Sequence, residues 1–202
     1  MDTLFDFLDI VDAIATTGWS ITPGFVPDAE IHRLLEAELA LWREGAFRAA
    51  GIGAGAAVER PEIRSDRIHW LDPLALPEAV VPYWERLAAL RQELNRTLYL
   101  GLRGFEGHFA VYPAGAFYKR HLDQFKTAPH RTVSCILYLN QGWTPEDGGL
   151  LRIYPSDAPD DAGIDVVPRA GTFVCFLSDR VPHEVLPARR ERFSLTGWMD
   201  RK

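Results

Sequence analysis

Residues 131–140 read RTVSCILYLN and residues 192–200 read RFSLTGWMD, and these two stretches decide the fold class. Both are rich in β-branched and aromatic residues, which favour strands. Side chains of an extended strand point alternately to its two faces. One face of the first stretch is then apolar and carries Val133, Cys135, Leu137 and Leu139. The other face mixes hydroxyl and apolar groups and carries Thr132, Ser134, Ile136 and Tyr138. The sequence therefore predicts strands that bury at least one face.

Six further segments of the same kind accompany these two. They are short and are separated by Gly, Pro, Asp and Asn, which interrupt strands. The eight predicted strands are 105–113, 117–123, 131–140, 149–155, 164–168, 172–178, 183–187 and 192–200. Eight short strands at this spacing predict a β-sandwich, a barrel or a jelly roll.

The first half of the chain predicts mainly helices. Three segments carry helix-type patterns, at residues 3–16, about 28–44 and about 81–98, and residues 63–72 predict one more strand. Residues 49–62 read AAGIGAGAAVERPE, with neither a preceding strand nor the Gly-Lys-Ser/Thr ending of a phosphate-binding loop. We predict a mobile surface loop there. The expected organisation is one domain over residues 1–202.

Composition excludes several classes of protein. The 202 residues are 47% hydrophobic and 25% charged, which is typical of a globular chain and not of a disordered one. No apolar run approaches the ~20 residues of a membrane span. The net charge of −6 gives no support to nucleic-acid binding, and the acidic start does not resemble a secretory signal. Two cysteines, Cys135 and Cys175, predict buried thiols in a reducing cytoplasm.

Three side chains form a candidate metal site. His121 and Asp123 lie two residues apart in the strand-like YKRHLD and therefore point the same way, although this motif alone is a weak signal. His183 lies at the start of another predicted strand. Two histidines and one carboxylate on one side of a metal are the ligands of non-haem Fe(II) oxygenases, but zinc accepts the same ligands. The other histidines, including His69, His108 and His130, are interpreted as structural or surface residues.

The strand that follows His183 favours iron and an organic acid. Alternation places four side chains on one of its faces: Arg192, Ser194, Thr196 and Trp198. A guanidinium and two hydroxyls suit a small dicarboxylate, because the planar fork of arginine matches a carboxylate. Tyr138 could donate a second hydrogen bond to the same carboxylate. The alternative is that this polar face meets solvent.

Five stretches, in order, resemble the prolyl hydroxylases of the Fe(II)/2-oxoglutarate dioxygenase superfamily. They are YPAGAFYKRHLD, RTVSCILYLN, GGLLRIYP, FLSDRVPHEV and RFSLTGW, and IRSDRIHW at residues 63–70 is also similar. The similarity is greatest to the hypoxia-inducible-factor type and to bacterial relatives that modify elongation factor Tu. It implies a mainly β fold with flanking helices, whose core is a double-stranded β-helix, or jelly roll, over residues 101–202. Residues 1–100 would then supply helical support and a mobile loop at residues 45–62, which would close over the substrate.

The resemblance also implies roles for individual residues. It makes His121, Asp123 and His183 the iron ligands. It makes Arg192, with Tyr138 and Thr196, the binding site of 2-oxoglutarate, with Tyr112 beside it. It places four side chains near the substrate: Arg131, Trp198, Arg64 and Asp66.

The implied activity is prolyl 4-hydroxylation of a protein in the cytoplasm, with elongation factor Tu as one candidate substrate. The cofactors would be Fe(II), 2-oxoglutarate and O2, with ascorbate as a reductant, and the co-products succinate and CO2. Two alternatives remain: the same chemistry on another protein or on a small molecule, and a non-catalytic jelly-roll module with a structural metal.

Overall fold

The computed structural model describes residues 7–52, 58–124, 130–155 and 162–202. Three α-helices lie in the first half: α1 Leu8–Thr16, α2 Asp28–Arg43 and α3 Val81–Leu98. All three fall on segments for which the sequence predicts helices, and residues 3–6 of the first segment lie outside the described residues. None of the helices in the described part of the chain is both long and apolar enough to cross a membrane.

Thirteen strands are present in the described residues. In chain order they are β1 Trp19–Thr22, β2 Arg48–Ala49, β3 Gly51–Ile52, β4 Val58–Glu59, β5 Arg67–Trp70, β6 Gly104–Tyr112, β7 Tyr118–His121, β8 Arg131–Tyr138, β9 Leu151–Ile153, β10 Ile164–Val166, β11 Phe173–Leu177, β12 His183–Val185 and β13 Arg192–Asp200. The eight strands predicted for the second half correspond to β6–β13, and the strand predicted for residues 63–72 contains β5.

Two antiparallel sheets make up the β core. The main sheet has seven strands in the order β1-β11-β8-β13-β6-β5-β2, and the minor sheet has four in the order β10-β9-β12-β7. Apolar side chains of both sheets meet between them, including Ile136 and Tyr138 of β8 with Leu151 and Ile153 of β9. This arrangement is the predicted jelly roll, with the helices on the outer face of the main sheet.

The first half of the chain supplies strands that the sequence does not predict. The short strand β1 pairs with β11 at one edge of the main sheet, and β2 pairs with β5 at the other. Strands of four and two residues are too short for an alternating pattern to be recognised. The segment predicted as a mobile loop, residues 49–62, begins at the last residue of β2, and β3 pairs with β4 within it. Residues 53–57 of that segment lie outside the described residues.

The alternation of the central strands separates two apolar cores. On β8, Val133, Cys135 and Leu137 pack against the helices, whereas Ile136 and Tyr138 face the minor sheet. Cys135 and Cys175 are both buried free thiols. On β13, Phe193, Leu195 and Met199 join the helix-side core. The opposite face of β13 carries the polar side chains and faces the minor sheet, and of these side chains Arg192, Ser194 and Trp198 are buried and Thr196 is half-buried.

Candidate metal centre and cavity

Two strands of the minor sheet bring the candidate metal ligands together. His121 ends β7 and His183 begins β12, and these two residues are partners in the antiparallel register. Asp123 follows β7 by two residues. Its Oδ1 lies 3.4 Å from the Nε2 of His121 and 3.8 Å from the Nε2 of His183. Each side chain offers a ligand atom, and the three atoms lie within 4.8 Å of one another.

Backbone carbonyls orient both imidazoles. The Nδ1 of His121 donates to the carbonyl of Lys119 at 2.7 Å, and the Nδ1 of His183 donates to that of Val181 at 3.0 Å. A carbonyl can only accept, so the proton sits on Nδ1 and the lone pair on Nε2. Ligand histidines in metal sites are usually fixed in this way.

The electrostatics favour a carboxylate at Asp123 and a neutral imidazole at His183. Burial would raise the pKa of Asp123, but His183, His121 and a hydrogen bond from Ser134 hold it well below its ordinary value. Burial and the neighbouring His121 lower the pKa of His183 to about 4. At neutral pH Asp123 is therefore a carboxylate and His183 a neutral imidazole, the protonation states in which these two side chains bind a divalent metal.

A cavity of about 970 Å³ lies between the two sheets, and the three candidate ligands are on its wall. Seven other residues predicted for the site also line it: Arg192, Thr196, Tyr112, Arg131, Trp198, Arg64 and Asp66. Tyr138 lies at its inner end, where its ring centroid is 4.8 Å from the guanidinium carbon of Arg192. The structure thus brings all eleven predicted residues to one place.

Arg192 is a buried lining residue of the cavity. It is 2% exposed, its Nε donates to the carbonyl of Gly149 at 2.9 Å, and its guanidinium carbon lies 4.9 Å from the ring centroid of Tyr112. No carboxylate of the described residues forms an ion pair with it. Burial raises the pKa of Tyr138 to about 12 against the opposing effect of the adjacent Arg192 guanidinium, and the hydroxyl proton has no acceptor among the described residues. These unpaired groups can bind an anion.

Arg131 and Trp198 form one wall farther along the cavity. The guanidinium of Arg131 stacks 3.5 Å from the ring centroid of Trp198 and donates to Glu106 at 2.7 Å. The indole nitrogen of Trp198 is buried without a partner among the described residues. A flat, partly polar wall of this kind suits a chain segment with both apolar and hydrogen-bonding groups.

Arg64 and Asp66 form a buried ion pair on another wall. The Nε of Arg64 donates to Asp66 at 2.8 Å, and its guanidinium lies 4.3 Å from the ring centroid of Tyr118. The Tyr118 ring in turn stacks on the imidazole of His121 at 3.5 Å. The pair therefore contacts the metal centre through one aromatic ring.

His108 is a cavity residue that the sequence analysis does not assign to the site. It lies in the middle of β6, is 3% exposed and lines the cavity. Its ring lies 4.8 Å from that of Trp70 and 5.4 Å from that of Trp198. Its Nδ1 has no partner among the described residues, and His130 lines the cavity as well. The signal was available, because His108 is two and four residues from Ala110 and Tyr112, on the same face of the strand.

Comparisons with known proteins identify the family. The model of the 2OG-Fe(II) oxygenase superfamily matches residues 107–200. The prolyl hydroxylase EGLN3 of Homo sapiens is 31% identical over 202 residues, which cover 94% of this chain and 81% of that relative. The chain belongs to the prolyl hydroxylases of the 2OG-Fe(II) oxygenase superfamily.

Solved prolyl hydroxylases share the whole fold. A Pseudomonas putida prolyl-4-hydroxylase is 45% identical with a TM-score of 0.87, over 98% of this chain and 100% of that chain. A Trichoplax adhaerens prolyl hydroxylase, solved with a peptide fragment of the hypoxia-inducible factor oxygen degradation domain, is 28% identical with a TM-score of 0.85, over 95% and 87%.

Other prolyl hydroxylases that match are much longer proteins. The chain spans 27% of the length of the Caenorhabditis elegans hypoxia-inducible factor prolyl hydroxylase and 33% of that of Homo sapiens Egl nine homolog 1.

The residues of the cavity fit Fe(II) and 2-oxoglutarate, the two groups after which the superfamily is named. Two imidazoles and one carboxylate on one side of a metal suit Fe(II) and leave positions open for other ligands. The buried guanidinium of Arg192 and the unpartnered hydroxyl of Tyr138 suit the far carboxylate of 2-oxoglutarate.

Proposed function

We propose that this prolyl hydroxylase family member hydroxylates a proline of a protein substrate, using Fe(II), 2-oxoglutarate and O2. The observation that carries the proposal is the geometry of one cavity. It has a His-Asp-His cluster on its wall and a buried arginine that forms no ion pair with the described residues. A structural metal site has no need of such an arginine, so the geometry favours an enzyme.

The protein's own groups bind and orient the reactants. His121, Asp123 and His183 would hold Fe(II), and Arg192 with Tyr138 would bind the far carboxylate of 2-oxoglutarate. When bound, iron and 2-oxoglutarate supply the oxidising chemistry, with succinate and CO2 as co-products and ascorbate as a reductant of the iron. Thr196 and Tyr112 complete the 2-oxoglutarate end. The two sheets cover the 2-oxoglutarate end of the cavity and would keep bulk water away from it.

A protein substrate is supported by the relatives and by the walls of the cavity. The Trichoplax adhaerens relative was solved with a peptide bound. Here the Arg131–Trp198 wall and the Arg64–Asp66 pair would contact the residues beside the reacting proline. Elongation factor Tu is one candidate substrate. Two buried free thiols support a reducing, cytoplasmic location.

The proposal is tested by adding the purified protein, Fe(II), 2-oxoglutarate and ascorbate to a dialysed cell lysate. New hydroxyprolines are mapped by mass spectrometry as +16 shifts, and succinate is measured in parallel. We expect hydroxyproline at one or a few sites, in proportion to succinate. Succinate that rises with lysate but without new hydroxyproline would instead indicate another residue or a small molecule as substrate.

Removal of a metal ligand supplies the matched control. His121→Ala or Asp123→Ala should abolish both products, because each removes one of three ligands. His32→Ala, an exposed histidine of α2, should leave both unchanged. Iron content and product formation are measured on the same samples. Full turnover by His121→Ala would refute the proposed metal centre.

A further inference from the structure

The two oxygens of Asp123 have different surroundings. Oδ1 faces the Nε2 atoms of His121 and His183, at 3.4 and 3.8 Å. Oδ2 instead accepts a hydrogen bond of 2.6 Å from the hydroxyl of Ser134. Only one oxygen is therefore turned towards the position that a metal would occupy.

A second hydroxyl extends this contact into the main sheet. The Oγ atoms of Ser134 and Ser178 lie 2.9 Å apart, and both residues are fully buried. Because the single proton of Ser134 goes to Asp123, the proton between the serines comes from Ser178. Each bond polarises the next, so the chain Ser178–Ser134–Asp123 is stronger than its isolated links.

The two serines lie on rigid elements. Ser134 is in the middle of β8, and Ser178 directly follows β11, the neighbouring strand. The backbone N–H of Ser178 donates to Thr132 at 3.0 Å, and its carbonyl accepts from the N–H of Gln124 at 3.1 Å. Asp123 comes from the minor sheet, so the serine pair fixes its carboxylate to the opposite sheet.

The number of oxygens that Asp123 gives to the metal matters for the proposed reaction. In a six-coordinate site, two histidines and one carboxylate oxygen leave three positions open. A carboxylate that binds through both oxygens would take one of the three. Bidentate 2-oxoglutarate and O2 together need all three positions.

We propose that the Ser134–Ser178 pair holds Asp123 as a one-oxygen ligand and so reserves the coordination position that 2-oxoglutarate needs. Ser134 and Ser178 are positioning residues, since neither faces the metal. This inference rests on the proposed function, because it concerns the binding of 2-oxoglutarate at the same centre.

The test uses the full chain loaded with Co(II), under argon and without any protein substrate. The visible absorption of Co(II) reports its coordination number, and titration with 2-oxoglutarate gives the dissociation constant. Competition with a chelator gives the affinity for Co(II) itself. The variants are Ser134→Ala, Ser178→Ala and Ser134→Thr, with Ser20→Ala as a control for the loss of a buried hydroxyl elsewhere.

For Ser134→Ala we expect 2-oxoglutarate to bind at least about tenfold more weakly, because Oδ2, released from its charge-assisted hydrogen bond, would compete for the coordination position that 2-oxoglutarate needs. Co(II) affinity should be unchanged or higher, because the released Oδ2 becomes an extra ligand. Ser178→Ala should have a smaller effect in the same direction, and Ser134→Thr and Ser20→Ala should resemble the wild type. If Ser134→Ala does not fold, Ser178→Ala still tests the inference, since it should weaken the binding of 2-oxoglutarate without weakening that of Co(II).

Two results would overturn the inference. One is unchanged 2-oxoglutarate affinity and absorption in both alanine variants. The other is a parallel loss of Co(II) and 2-oxoglutarate binding, which would mean that the serines merely support the fold. If wild-type protein loaded with Co(II) does not bind 2-oxoglutarate, the proposed function fails and the inference falls with it.

Discussion

The guanidinium of Arg192 is buried beside the rings of Tyr112 and Tyr138. No carboxylate of the described residues forms an ion pair with it. Such a charge is expensive to bury without a partner, so its neighbourhood favours a bound anion. The second unpaired group, the Tyr138 hydroxyl, lies on the same side. A ligand with one carboxylate at this end would bind both the Arg192 guanidinium and the Tyr138 hydroxyl, and chelating oxygens at its other end would reach the metal.

Replacing Arg192 tests this match directly. Arg192→Ala should raise the dissociation constant of 2-oxoglutarate by at least about tenfold, because charge-assisted hydrogen bonds contribute about 1.5–3 kcal/mol. Metal affinity should not change, since Arg192 is not a ligand. The measurement is an anaerobic titration of the metal-loaded protein with 2-oxoglutarate.

Arg190 offers a control two positions away. Its side chain is 45% exposed and pairs with Asp147 outside the cavity. Arg190→Ala should bind 2-oxoglutarate as the wild type does. Equal affinity in Arg192→Ala would show that the carboxylate lies elsewhere.

Alternation explains which cavity residues the sequence could predict. On β8 and β13 one face is polar and the other apolar, so Tyr138, Arg192 and Thr196 could be assigned to a pocket from the sequence alone. On β6 both faces are buried from Gly107 onwards, so polarity does not show which face lines the cavity. Only the shared face with Tyr112, which the family resemblance places beside 2-oxoglutarate, indicates His108 as a cavity residue. Ser178 follows a strand, where alternation no longer applies.

The pairing of β6 with β13 depends on two facing glycines, Gly107 and Gly197. A Cβ at Gly197 would lie 2.3 Å from the carbonyl oxygen of Glu106 and 2.5 Å from the ring of Phe105. That ring packs edge-on against Trp84 of α3. The glycines therefore leave room for an aromatic contact between the helix and the sheet that carries Arg192.

Gly197→Ala should lower the free energy of unfolding by about 1–3 kcal/mol, because the new methyl group would overpack against backbone that cannot move freely. Urea unfolding measures the change. Gly104→Ala is the control on the same strand pair, since its Cβ would meet the flexible side-chain end of Asp200 at 3.1 Å. Equal losses in the two variants would contradict the steric explanation.

Helix α2 carries a carboxyl group into the helix-side core. Glu38 is fully buried, and burial raises its pKa well above the ordinary value, against the opposing effects of the Arg192 guanidinium and the Ser194 backbone. A raised pKa in the folded state stabilises the protein below the unfolded pKa, and this contribution is lost as pH rises towards the folded pKa. Glu38 therefore makes the protein less stable at pH 8 than at pH 5.

Glu38→Gln removes the titration but keeps the size of the side chain. The variant should gain stability over the wild type at pH 8, by about 1–3 kcal/mol, and less at pH 5. Glu36→Gln, an exposed position on the same helix, should show no such difference. Thermal or urea unfolding at the two pH values measures both. A gain independent of pH would show that Glu38 is ionised in the folded protein.

Long segments were predictable and short edge strands were not. Helix α3 and strands β6, β8 and β13 are long enough for periodicity to define them. Strand β1 is defined by its partner β11, more than 150 residues away, and not by its own four residues. Non-local pairing of this kind leaves no local pattern in the sequence.

The arrangement of the two sheets was predicted through family resemblance. The spacing of eight short strands allowed a sandwich, a barrel or a jelly roll, since strand order is not encoded in spacing. In the structure β13 lies between β6 and β8, and the minor sheet brings β7 next to β12. This order places His121 and His183, 62 residues apart in the sequence, at paired positions of adjacent strands. Their roles in catalysis remain predictions that the experiments above test.

Closing the cavity between the sheets buries histidines, and this makes the stability of the whole protein depend on pH. Burial and the guanidinium groups of Arg64 and Arg131 lower the pKa of His108 to about 3, and His183 titrates with a pKa of about 4. An unfolded histidine has a pKa near 6.5. Between these values the unfolded chain binds more protons than the folded one, so stability rises with pH and is lost on acidification.

We therefore expect the metal-free protein to lose stability as pH falls from 6.5 to 4, with each of the two histidines contributing up to about 1.4 kcal/mol per pH unit. His108→Gln removes one contribution, so the stability difference between this variant and the wild type should shift steadily in favour of the variant over that range. His32→Gln, on the surface, should follow the wild type. Comparing variants cancels the opposing effect of Glu38 and of other groups. Urea unfolding in the presence of a chelator, at half-unit pH steps, measures the slopes. Parallel curves for His108→Gln and the wild type would mean that the folded protein accepts a proton on His108 without cost, and the cavity wall would then be open to water.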